Sequence, residues 1–162
     1  MYATKNDLPA KKREALAELL NGHLALCLDV MLQTKQAHWN VKGTNFIALH
    51  ELFDKINEDF EEYTDLLAER IVQLGGAPDF APDSLVSRAH SEYVEGVTLV
   101  DMIKEDLIAE RIAIDSYREM IAYFSSFDST TRKMLEEITA NEEEHADDLA
   151  DLLQNLPKDM KD

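Results

Sequence analysis

The chain has 162 residues, 45% of them hydrophobic, with 16 Lys and Arg against 33 Asp and Glu for a formal net charge of -17. That length and hydrophobic share suit one packed domain, residues 1–162, and exclude a disordered chain. The charge repels nucleic acid and anionic membrane over most of the surface and attracts cations, although solubility alone explains an acidic balance unless the carboxylates are arranged. Cys27 is the only cysteine, so an intrachain disulfide and a thiolate zinc site are both excluded. The opening MYATKNDLPA has no apolar signal core, and Asp29 breaks the run ALCLDVML. A soluble cytoplasmic protein with no membrane partner is expected.

Four long segments carry helical periodicity and none reads as a strand. The first opens at NDLPAKKRE, with Asn6 or Asp7 as cap and Pro9 in the first turn, and runs to about His38. A loop at residues 40–45 ends it. The second runs from about Phe46 to Leu74, where Gly75-Gly76 and then Pro78 stop it. Residues 77–95 leave room for a short helix. The third spans about Gly96 to Phe124, and the fourth about Ser129 to Leu156, before Pro157. Helices of this length, about 40 Å each, make an all-α four-helix bundle. The long crossover between the second and third, carrying a short helix, matches ferritin-like topology.

The second helix separates into two arcs. Phe46, Leu49, Phe53, Ile56, Phe60, Tyr63, Leu67, Ile71 and Leu74 form the apolar seam of a bundle helix. His50, Asp54, Glu58, Asp65 and Glu69 fall on a different arc, pointing away from the chain's own core. His50/Asp54 and Asp65/Glu69 are i,i+4 pairs, each close enough to share one ion, but the pairs lie eleven residues or about 16 Å apart. One chain cannot close them on a single metal. A solvated acidic face accounts for the carboxylates, since charged residues ordinarily stay exposed. It does not account for the histidine. Two copies of the helix packed antiparallel about a two-fold axis would bring His50 and Asp54 of one to Asp65 and Glu69 of the other. Imidazole plus carboxylate without thiolate suits Fe(II), Mn(II) or Zn(II), and His38 could supply a second imidazole.

AHWNVKG, then FIALHELFD, then DLLAER followed by GG, resembles the Dps family of mini-ferritins over nearly the whole chain. The spacing is twelve residues from His38 to His50, four to Asp54, eleven to Asp65 and four to Glu69. The resemblance implies a ferroxidase centre at the dimer interface: His38, His50 and Asp54 from one subunit, Asp65 and Glu69 from its partner. It also implies a hollow dodecamer that oxidises Fe(II), preferentially with hydrogen peroxide, and stores ferric mineral. Zn or Mn are alternative occupants. Beside this centre, Trp39 reads better as a buried packing residue than as an electron donor. Glu51 and Glu58 are candidates for mineral nucleation, Asp128, Glu136 and Glu137 for an acidic pore, with Arg132 and Lys133 among them.

A second cluster comes from the third and fourth helices, where Glu110, Glu142 and His145 occupy otherwise apolar seams. Glu142-x-x-His145 has the spacing of di-iron bundles and resembles bacterioferritin, and His23 could join. The second helix, however, offers Phe60 and Tyr63 where a second Glu-x-x-His would be needed. A hydrogen-bonded buried network therefore competes with a metal site, and a bacterioferritin-like protein is an alternative reading. A nucleoid-associated, DNA-protecting protein is the other. Direct DNA binding is expected to be weak or absent, because Lys5, Lys11, Lys12 and Arg13 fall mostly on the first helix and only Lys158 and Lys161 remain at the other end.

Overall fold

The structure, a computed structural model, describes residues 1–43, 46–88 and 98–156. All regular structure among these residues is helical: α1 (Ala10–Asn40), α2 (Phe46–Gln73), α3 (Pro82–Arg88), α4 (Leu99–Phe124) and α5 (Ser129–Asn155). The four long helices form the expected bundle. α1 packs on α2 and α4 on α5 as two helical hairpins, and α1 also packs on α4. The crossover between α2 and α4 carries α3, which packs on α1. Loop residues 44 and 45, the expected third-helix start at Gly96 and the basic residues beyond position 156 lie outside the described residues.

Helix ends follow local chemistry. The expected cap at Asn6 or Asp7 is replaced by Pro9, whose carbonyl accepts from the backbone N–H of Lys12 and Arg13 at 2.9 and 3.1 Å. Asn6 is spent earlier, its side chain accepting from Leu8 N–H. α4 starts three residues later than expected because Thr98 and Asp101 form a capping box, each side chain accepting from the other's backbone N–H. α2 stops at Gly75, where φ is +84° and an added Cβ would stand 2.6 Å from the Tyr2 carbonyl oxygen. There the N-terminal segment crosses: Tyr2 N–H donates to Gly75 O, Thr4 Oγ1 to Gln73 O and Arg13 Nη1 to Leu74 O. The freed carbonyls at the end of α2 thus find partners.

The seam expected on α2 is the core. Leu49, Phe53, Ile56, Phe60, Leu67 and Ile71 are fully buried, against Leu16, Leu20 and Leu24 of α1, Ile103, Tyr117 and Phe124 of α4 and Leu135, Ile138 and Leu149 of α5. Each such side chain contributes roughly 1.5–3 kcal/mol by leaving water. Although Asp29 interrupts the run ALCLDVML, α1 contains a window long and apolar enough to cross a membrane by length and composition. Over half of that window is buried inside the protein, so its apolar surface is consumed by the bundle.

One buried ion pair locks the far end. Arg70 on α2 donates through Nη2 to both carboxylate oxygens of Asp128 at 3.0 Å and through Nε to Thr131. Asp128 in turn caps α5 by accepting from Thr131 N–H. Burial raises the Asp128 pKa, but the Thr131 and Arg70 hydrogen bonds outweigh it and hold the carboxyl below its ordinary value. This withdraws Asp128 from any acidic pore. Glu136 and Glu137 remain exposed but sit 3.4 and 3.6 Å from Arg132 and Lys133. Breaking a buried pair from one side strands a charge, so Arg70→Ala should lower unfolding stability by about 3–5 kcal/mol, read by urea denaturation. Because the folded pKa of Asp128 is depressed, its contribution is present above the unfolded aspartate value and is lost as pH falls through the folded one. The cost of Arg70→Ala should therefore shrink in acid.

Candidate metal centres

The last turn of α1 and the first turns of α2 present His38 and His50 to each other. The rings stack with centroids 3.7 Å apart, and each Nδ1 reaches the other residue's backbone carbonyl: His38 Nδ1 to His50 O at 3.2 Å, His50 Nδ1 to His38 O at 3.1 Å. A carbonyl only accepts, so each Nδ1 carries its proton and each Nε2 keeps a lone pair. This is the tautomer a metal-ligating histidine needs, with the backbone as orienting partner. Asp54 stands one helical turn beyond His50, its Oδ1 3.4 Å from His38 Nδ1 and 2.8 Å from Lys35 Nζ. Lys35 holds the Asp54 carboxyl below its ordinary pKa, with His38 and His50 adding to the effect. The folded chain thus gathers three of the five expected ligands at one end of the α1–α2 hairpin. Asp65 and Glu69 lie exposed farther along α2.

The interior cluster is tighter. Glu110, Glu142 and His145 are all fully buried, and one ligand atom from each lies within 4.8 Å of the others. Among the described residues this is the one group of three or more such side chains so closely spaced. His145 Nε2 bonds Asp59 Oδ2 of α2 at 2.9 Å, while its Nδ1 faces Glu110 Oε1 at 3.5 Å. Burial pulls the His145 pKa down, and the carboxylates of Glu110 and Asp59 outweigh it and raise it. Burial and the Glu110 charge push Glu142 well above the ordinary carboxyl range. His23 does not join: its Nδ1 contacts Leu19 O at 3.0 Å and its Nε2 contacts Ser116 Oγ at 2.7 Å.

The family model for the ferritin-like domain matches residues 17–159. The DNA protection during starvation protein of Mycolicibacterium smegmatis is 34% identical over 131 residues, covering 79% of this chain and 71% of that one. This chain belongs to the Dps family of ferritin-like proteins. The Agrobacterium fabrum protein of the same name is 49% identical over 75 residues, a match covering 46% of each chain. The solved structure of Mycobacterium smegmatis Dps in a tetragonal form superposes with a TM-score of 0.88 at 28% identity, covering 94% of both chains. The Dps fold is thereby shared along nearly the entire length.

Against that Dps frame, two side chains stand at the centres that periodicity did not single out. Lys35 lies one turn before His38 on α1, and its partnership with Asp54 needs the hairpin to close. Asp59 sits between the seam and the stripe of α2 and meets His145 across 86 residues of chain. Trp39 departs from the expected packing role: it is 69% exposed on the single chain. Exposed Leu32, Phe46 and Ile47 come from the same end of the α1–α2 hairpin. Replacing Lys35 by Met should raise the Asp54 pKa toward the ordinary aspartate value. A carboxyl 13C titration reads this directly, and an unmoved Asp54 would show that the ammonium does not hold it.

Proposed function

We propose that this Dps-family chain stores iron and detoxifies it, as a ferroxidase whose site is completed between two subunits. The observation that carries the reading is the reciprocal His38–His50 clasp, which fixes two imidazoles with free Nε2 lone pairs beside Asp54. Asp65 and Glu69 lie on the same helix too far away to close on those groups within one chain, and an antiparallel α2 from a second copy supplies them. His38, His50, Asp54, Asp65 and Glu69 then form the di-metal ligand set. The apolar side chains left uncovered near the clasp, Trp39, Leu32 and Ile47, favour burial in such a contact. Six such dimers would build the dodecameric shell, and a soluble cytoplasmic setting suits it.

Three carboxylates and two neutral imidazoles bind Fe(II) as substrate and favour the more highly charged ferric product. Two Fe(II) give one electron each to hydrogen peroxide, which takes up two protons and leaves as two waters. Pairing the electrons in one site avoids release of hydroxyl radical. Lys35 must yield Asp54 when iron enters, since the ammonium and the cation compete for one carboxylate. DNA protection, which the relatives' name denotes, would here proceed through iron and peroxide removal rather than phosphate contact. Twelve copies of a chain at -17 oppose a polyanion strongly.

His50→Ala with Asp54→Ala should slow peroxide-driven Fe(II) oxidation by at least ~10-fold, since even outer-shell losses at metal sites cost that much. Spin trapping should then register hydroxyl radical that the unaltered protein suppresses. Oxidation at the unaltered rate in the double variant would sink the inter-subunit assignment.

A further inference from the structure

We propose that Glu110, Glu142 and His145 hold one divalent first-row transition-metal ion inside each subunit, with Asp59 orienting His145. This centre is built within one chain and shares no residue with the inter-subunit site.

The case begins with orphaned atoms. Both carboxylate oxygens of Glu110, both of Glu142 and Nδ1 of His145 are buried and have no hydrogen-bond partner. Native interiors rarely leave polar atoms so, because each has given up its water without replacement. Here all five come from three fully buried side chains that face one another. A shared proton between the two carboxylates would satisfy one contact. It would leave the outer oxygens and Nδ1 unpaired, since His145 Nδ1 and Glu110 Oε1 stand 3.5 Å apart. A cation at the centre satisfies all three side chains at once.

The donor set specifies the ion. Two carboxylates cancel a charge of +2 and the imidazole stays neutral, so the buried site is electrically balanced. Carboxylate and imidazole donors without thiolate select Mn(II), Fe(II), Co(II) or Zn(II). Asp59 Oδ2 accepts from His145 Nε2–H at 2.9 Å, leaving the Nδ1 lone pair aimed at the cluster. A carboxylate on the far nitrogen is the usual device for fixing a ligating histidine. Asp59 ties α2 to a centre otherwise made by α4 and α5.

The same surroundings limit the site to one ion. A second would need further free carboxylates from α1 and α2, but α1 brings Cys27, and α2 brings Tyr63 beside an Asp59 already bonded to His145. Burial pushes the Cys27 thiol up to about 12, and its sulfur lies 3.0 Å from the Tyr117 hydroxyl. The Tyr63 hydroxyl is buried without a partner, and burial with the nearby Glu142 charge keeps it protonated. Asp106, one turn before Glu110, is pushed well above the carboxyl range by burial and by Glu110, and it stands outside the cluster. His23 has both nitrogens engaged elsewhere.

The test uses the assembled protein carrying His50→Ala and Asp54→Ala, which disables the inter-subunit centre, produced in medium supplemented with Co(II). After gel filtration over a weak chelator, one Co per chain should remain. Crystals should show an anomalous peak at about 2.0–2.3 Å from Glu110, Glu142 and His145 Nδ1, the usual range for such donors. Adding Glu142→Gln should lower the retained Co at least tenfold, with the helical circular dichroism unchanged. Should that variant fold poorly, the anomalous map of its parent decides alone. No anomalous density at the cluster overturns the proposal. Because the parent already lacks the outer ligands, failure here is distinct from failure of the ferroxidase reading, which is decided by its oxidation rate.

Discussion

The 3.6-residue period of α2 is the constraint on which the rest of the molecule depends. One face of this helix must disappear into the bundle, and Phe53, Ile56, Phe60, Leu67 and Ile71 do so completely. Once that face is committed, His50, Asp54, Asp65 and Glu69 can only point elsewhere, since a rotation that buried them would expose the seam. The acidic stripe is thus an outward-facing feature by geometry, whatever it binds. A single chain cannot fold it onto itself, because both i,i+4 pairs ride the same straight rod. If those side chains are metal ligands, as proposed, closing both pairs on one centre would take a second copy of the helix.

The ends of the same helix are held by unlike means. At the start, the loop after α1 lets His38 and His50 exchange hydrogen bonds with each other's carbonyl, so side-chain orientation is set by backbone rather than by packing. At the finish, a left-handed glycine, the crossing N-terminal segment and the Arg70–Asp128 pair pin α2 to both α1 and α5. The stripe is therefore stretched between two anchored ends, which fixes the rotational setting of Asp65 and Glu69 as firmly as that of His50. Preorganised ligands waste less binding energy on ordering side chains.

Much of this was legible in the chain itself. Four helices, their order and the short crossover helix follow from periodicity with Gly and Pro punctuation, and the seam of α2 can be listed residue by residue. Boundaries were less readable. Pro9 took the capping place expected of Asn6 or Asp7, and the Thr98–Asp101 box moved the start of α4 beyond Gly96. Both shifts arise from local side-chain bonds that hydrophobic spacing does not register. Contacts between distant segments were beyond reach: Lys35 with Asp54, Asp59 with His145, Arg70 with Asp128. The last removes Asp128 from the surface although a lone aspartate before a helix reads as an exposed cap. Trp39 shows the converse error, since a large aromatic is expected inside and instead is 69% exposed.

The two clusters differ in the property that separates working metal sites from structural ones. His50, Asp54, Asp65 and Glu69 are half-buried or exposed. Glu110, Glu142 and His145 have no solvent contact at all. Catalytic sites keep an open position for substrate, whereas closed sites exchange ligands slowly and add folding energy. Iron that must enter reduced and leave as mineral needs the first kind of site. An ion in the second kind would instead bind α4, α5 and, through Asp59, α2 into one unit, beneath the face on which the outer ligands stand. The Phe60 and Tyr63 that stand where a second Glu-x-x-His would be needed then have a physical sense. Bringing no carboxylate or imidazole, they would restrict an interior centre to one ion, and under the proposed function the reduction of peroxide would stay with the outer ligands.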